Sequence, residues 1–181
     1  MSSSSTEDDE NFVKLLHQAA LYGNRELMAD LLCGSESNLV EMNNPDENGR
    51  TPVHTAASLS DAECLRLLIE AGAIANPGHC DSFTKTPLHV ACESGSLACV
   101  QLLVEAGANL YALDQTGHSP LELAQRADHK RIVSYLIEYI VRNPGAFYAQ
   151  HLSKVDSECN LRCNAILVLF FSVLYLVAGF K

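Results

Sequence analysis

The chain has 181 residues, with 12 basic and 22 acidic side chains and a formal net charge of −10. That balance argues against a nucleic-acid binder, because phosphate contact needs a basic patch. It permits a basic protein segment as partner, although a solvated acidic surface has the same composition.

Residues 1–10 hold four serines, a threonine and four consecutive acids without an apolar run. They read as a disordered acidic leader and not as a signal peptide. From residue 11 the pattern changes. Leu16-His17-Gln18-Ala19-Ala20-Leu21-Tyr22-Gly23-Asn24 has the apolar spacing of a short helix and turn, and Leu27 to Leu32 that of a second helix. The stretch from Cys33 to Asn44 is longer than the later connections and predicts an enlarged surface loop.

Next comes a repeat. Thr51-Pro52-Val53-His54 returns 35 residues on as Thr86-Pro87-Leu88-His89, and 33 residues further as Ser119-Pro120-Leu121-Glu122. The second half of each copy repeats too: Cys64-Leu65-Arg66-Leu67-Leu68-Ile69-Glu70-Ala71-Gly72-Ala73 against Cys99-Val100-Gln101-Leu102-Leu103-Val104-Glu105-Ala106-Gly107-Ala108. Ile132-Val133-Ser134-Tyr135-Leu136-Ile137 is the worn third version. Thr51, Thr86 and Ser119 are placed to cap helices, and the prolines suit a first turn that needs no N–H. Val53, Leu88 and Leu121 are expected in a core shared with the neighbouring unit. Gly72 and Gly107 follow directly on a helical run, where a left-handed residue ends a helix at least cost.

A period near 33 carrying T-P-L-H-x-A resembles the ankyrin-repeat family, and the resemblance covers residues 11–143. It implies an all-α solenoid of four helix pairs joined by short β-hairpin loops, the first copy being a degenerate N-terminal cap. A linker at 144–160 and a separate hydrophobic helix at 161–181 complete the expected organisation. The resemblance also implies that His54 and His89 bond backbone groups and tie adjacent units, and that Glu122 weakens the tie at its junction.

For function the resemblance implies non-catalytic binding of a protein partner along the concave surface, at the hairpin tips and inner helices. Matched by position, the contact residues are Glu47, Asn48 and Arg50 with Ser58 and Leu59 in the second unit. In the third they are Ser82, Phe83 and Lys85 with Glu93 and Ser94, and in the fourth Gln115, Thr116 and His118 with Arg126 and Ala127. The first unit offers Leu21 and Tyr22. Phe83 would present an aromatic ring at a hairpin tip, as binding hot spots often do; alternatively it folds over the next unit, since Thr84 replaces the usual glycine. The cysteine that opens the second helix and the Leu-Leu-x-Glu-Ala-Gly-Ala ending are also similar to ankyrin proteins carrying a SOCS box, the substrate receptors of cullin ubiquitin ligases. The Leu-Pro-rich box does not occur in these residues, so that resemblance implies substrate binding without ligase recruitment.

Catalytic and cofactor signatures are absent from the sequence: no G-x-S-x-G, no phosphate loop, no H-E-x-x-H and no dinucleotide fingerprint. No cofactor or metal is expected. Cys64 and Cys99 share one position on the buried side of the second helix and read as small core residues. Cys159 and Cys163 lack a second Cys/His pair that would complete a zinc site.

From Ala165 to Phe180 the chain is apolar apart from Ser172. As a helix those residues span about 24 Å against about 30 Å of hydrocarbon. Three readings stay open: a tail anchor that leaves the repeats in the cytosol, a buried or partner-bound hydrophobic helix, and a splice-variant or read-through end that replaces a longer C-terminus of the family. In the last reading the form is soluble and keeps the tail folded away.

Overall fold

The computed structural model describes residues 5–33, 41–60, 62–76 and 85–143. Two compact units divide the chain, Met1–Tyr139 and Ile140–Lys181, and the packing below is that of the first. Helices come in pairs: α1 (Ser5–Tyr22) with α2 (Arg25–Leu32), α3 (Pro52–Ala57) with α4 (Glu63–Glu70), α5 (Pro87–Ser94) with α6 (Leu97–Glu105), and α7 (Pro120–Arg126) with α8 (Lys130–Arg142). Helix α1 therefore begins inside the stretch expected as a leader. No strand occurs among the described residues.

The recurring motif builds each inner helix from its own residues. In α5, the Thr86 N–H and hydroxyl both meet His89 Nδ1, at 3.1 and 2.9 Å. Thr51 and His54 repeat this at the same distances in α3. The other ring nitrogen reaches across to the next unit. His54 Nε2 donates to the Lys85 carbonyl at 3.1 Å, and His89 Nε2 to the His118 carbonyl at 3.1 Å. These are the ties that the resemblance implied. Glu122 does half of this work. Its carboxylate accepts from the Ser119 N–H at 2.7 Å and from the Ser119 hydroxyl at 2.9 Å, so the cap survives while the donor to a following unit is lost.

Inner helices stack in order, α1 on α3, α3 on α5 and α5 on α7, and the outer helices α2, α4 and α6 do likewise behind them. Leu16, Met28, Val53, Leu65, Leu68, Leu88, Val100, Leu103, Ile132 and Leu136 are buried between the layers. Such units have no core of their own, so burial comes from the neighbour. Cys64 and Cys99 are buried as expected, and burial pushes the Cys92 thiol up to about 12. Leu121 departs from expectation: it is half-buried, because it lies on the last pair of the described stack.

Loop geometry holds two further differences. Within the predicted Cys33–Asn44 surface loop, residues 34–40 lie outside the described part. Near its end Glu41–Asn43 form a 3-10 turn that buries Met42, while Asn44 is exposed. Gly72 and Gly107 end their helices at φ +94° and +81°, as the sequence requires. At the turn between α7 and α8, Asp128 takes φ +57°, where the first and third pairs place Gly23 and Gly95.

Candidate partner-binding surface

The hairpin tips owe their shape to a single aspartate each. At 46–50, Asp46 Oδ1 accepts from the N–H groups of Asn48 and Arg50, both at 2.8 Å. At 114–118, Asp114 Oδ1 accepts from the N–H groups of Thr116 (2.8 Å) and His118 (2.9 Å) and from the Thr116 hydroxyl (2.7 Å). Each tip is closed by the aspartate N–H donating to the carbonyl four residues on, Arg50 or His118, at 2.8 and 3.0 Å. Gly49 and Gly117 sit at φ +75° and +78° to complete the turn. Burial alone would raise the Asp114 pKa, but the His118 and Thr116 donors outweigh it and bring it down to about 2. The residue-by-residue matching missed both aspartates. A signal existed, since an Asp stands five residues before Thr51, Thr86 and Ser119 alike.

Among the described residues, two grooves open along this edge. One, of about 490 Å³, lies at the third and fourth pairs. It gathers seven of the predicted residues, Lys85, Glu93, Gln115, Thr116, His118, Arg126 and Ala127, with Asp114 and Leu123. Lys85 Nζ meets Glu93 Oε2 at 2.5 Å. The guanidinium of Arg126 donates to His118 Nε2 at 2.6 Å, and His118 Nδ1 faces the Thr116 hydroxyl at 2.5 Å. The hairpin tip and the helix end are thus one connected polar surface.

The other groove, of about 730 Å³, lies between α1 and the first hairpin, where it is lined by Val13, Lys14, His17, Gln18, Asn44, Pro45, Asp46, Glu47 and Asn48. Glu47 and Asn48 were predicted; the α1 side was not. His17 Nε2 donates to the Asn44 carbonyl at 3.3 Å, and the buried Nδ1 has no partner. Desolvation lowers the His17 pKa despite that bond and the nearby Asp46 carboxylate. Leu21 and Tyr22 are exposed, at 54% and 78%, but neither lines the groove.

Several predicted contacts also make bonds within the chain. The Ser94 hydroxyl donates to Ala91 O at 3.1 Å and to Ala57 O at 3.3 Å, which links the third unit to the second. Leu59 is half-buried against the first unit, its Cδ1 3.6 Å from where a Cβ at Gly23 would stand, and its carbonyl accepts from Cys99 Sγ at 3.5 Å. The exposed Ser58 turns its hydroxyl onto Thr55 O at 2.7 Å, and Arg50 is half-buried with its N–H held by Asp46. Ser82, Phe83 and the segment 165–180 lie outside the described residues. Among the described residues no helix is long and apolar enough to cross a membrane, and no group of three His, Cys, Asp or Glu is placed to hold a metal.

A family model described as ankyrin repeats, in three copies, matches residues 16–114 and 73–148. Similar curated proteins include Alpha-latrotoxin-Lh1a of Latrodectus hasselti, 34% identical over 122 residues, and Alpha-latrotoxin-Lg1a of Latrodectus geometricus, 30% identical over 122 residues. Alpha-latrotoxin-Lt1a of Latrodectus tredecimguttatus is 34% identical over the same length. Each match takes in 67% of this chain but 9% of the toxin.

Proposed function

Because the chain belongs to the ankyrin-repeat family, we propose that it acts as a non-catalytic protein-interaction module whose partner lies along the hairpin tips and inner helices. The observation that carries this reading is the groove at the third and fourth pairs, where seven of the positions matched from the family's binding surface converge. An open, shallow surface of this kind excludes water poorly, which suits recognition and disfavours chemistry. The likeness to the latrotoxins is confined to 9% of their length, so it speaks for the repeats and brings no toxin activity with it. The adaptor reading, a substrate binder similar to SOCS-box receptors, would use the same face.

A partner captured by proximity labelling provides the test. Lys85→Gln, Glu93→Gln and Arg126→Gln together should weaken its binding tenfold or more, with the melting temperature kept near that of wild type, because a few central contacts dominate an interface. Arg66→Gln with Glu70→Gln, on the exposed outer helix α4, should leave binding unchanged. The reverse pattern would move the recognition surface to the outer helices.

A further inference from the structure

We propose that Arg126 is the anchoring cation of this groove and that it takes the carboxylate of an aspartate or glutamate side chain on the partner. The inference rests on the groove being the recognition surface and names what that surface recognises.

The argument is one of charge left over. Every carboxylate at this site is engaged within the chain: Glu93 by Lys85, Asp114 by three donors from its own hairpin, and Glu122 by the Ser119 cap. Lys85 is in turn neutralised by Glu93. Arg126 alone is held by an uncharged acceptor. A guanidinium can only donate, so the His118 Nε2 that faces it at 2.6 Å carries no proton. The ring proton is then on Nδ1, 2.5 Å from the Thr116 hydroxyl, which passes its own proton toward Asp114 Oδ1 at 2.7 Å. This chain of bonds orients Arg126 without cancelling its charge. Among the described residues no carboxylate pairs with it, and it is exposed.

A guanidinium fixed at one nitrogen keeps its remaining N–H groups as a planar fork, the geometry that matches a carboxylate in two parallel bonds. Leu123 and Ala127 line the same groove, so an acid flanked by apolar side chains fits better than a run of acids. The overall charge of −10 would repel a strongly acidic segment at long range, which also favours a single acid. In this arrangement His118 is a positioning residue.

A random peptide library displayed on phage and selected against the full chain tests the proposal. Wild type should enrich peptides with one acid at a fixed position. Changing that acid to its amide in the synthetic peptide should weaken binding tenfold or more, and in Arg126→Gln the same change should have no effect. His118→Gln, whose amide oxygen can still accept from Arg126, should keep at least a third of the affinity, and His118→Leu should lose most of it. Equal penalties for the amide peptide in wild type and Arg126→Gln would overturn the proposal, as would selected peptides without a shared acid. So would tighter binding when a phosphoserine replaces the acid, which would make the site a phosphate receptor. Should the selected peptides ignore Lys85, Glu93 and Arg126 altogether, the groove itself is not the recognition surface; should they need Lys85 and Glu93 but tolerate Arg126→Gln, only the assignment of Arg126 fails.

Discussion

The third and fourth helix pairs share one apolar pattern, yet they differ in what covers them. Val90, Val100 and Val104 are buried in the third pair, whereas their counterparts Leu123, Val133 and Ile137 are only partly covered in the fourth, Ile137 being 39% exposed. Leu88 and Leu121 differ in the same way. The residue types are equally apolar, so burial in this stack is a property of the junction and not of the side chain. The caps follow suit. His89 serves both its own helix and the unit beyond, and Glu122 serves only its own.

The largest expected effect is at the paired leucines. Leu88→Ala should destabilise the fold by about 2–5 kcal/mol, the usual cost of truncating a fully buried leucine, and Leu121→Ala by about 1–2 kcal/mol. Urea unfolding followed by circular dichroism measures both. Equal losses would mean that the two ends of the comparison are covered alike.

Next come the turns. Gly95→Ala meets two obstacles, a left-handed backbone at φ +82° and a new Cβ that would stand 2.6 Å from His129 Cε1. A loss of about 1–3 kcal/mol should follow. At the matching position in the fourth pair, Asp128→Gly relieves the same backbone conformation and should gain under about 1 kcal/mol. A loss on that change would show that the Asp128 side chain contributes more than its backbone strain removes.

Acid should separate the pairs by smaller increments. Burial holds the His89 imidazole below its ordinary 6.5. The unfolded chain therefore binds the proton first, and stability that is complete above about pH 6.5 declines as the pH falls below it. Glu122 is held below its ordinary 4.5 by the Ser119 N–H and hydroxyl, so its contribution is present above that value and is lost only at lower pH. Urea midpoints measured from pH 7.5 to 3.5 should fall in two stages. His89→Gln should flatten the upper stage and Glu122→Gln the lower; an unchanged upper slope in His89→Gln would assign that stage to other histidines, His17 foremost.

Much of the fold was legible because the motif is itself the tie between units. Thr, Pro and His at that spacing encode a cap, a first turn and a cross-unit donor in four residues. The site was legible in part. Lys85, Glu93, Gln115, Thr116, His118 and Arg126 could be matched by position, but position does not say which of them touch. The bond from Arg126 to His118 joins a helix end to a hairpin tip, which no local pattern encodes. Ser94 and Leu59 show the converse, since their places in the repeat suit either a partner or the neighbouring unit, and position alone did not tell their contacts with that unit. The α1 groove was invisible for a different reason: the first unit lacks the motif, and the His17 to Asn44 contact spans 27 residues of sequence.

The histidine ties also give the stack a direction. Each runs from a donor in one unit to a carbonyl in the unit after it, from His54 to Lys85 and from His89 to His118. Removing the later unit would open that N–H, with the apolar surface around it, to water and leave the histidine with its cap alone. That is the state in which Glu122 already stands, so the start of each inner helix outlasts the loss of the unit that follows it.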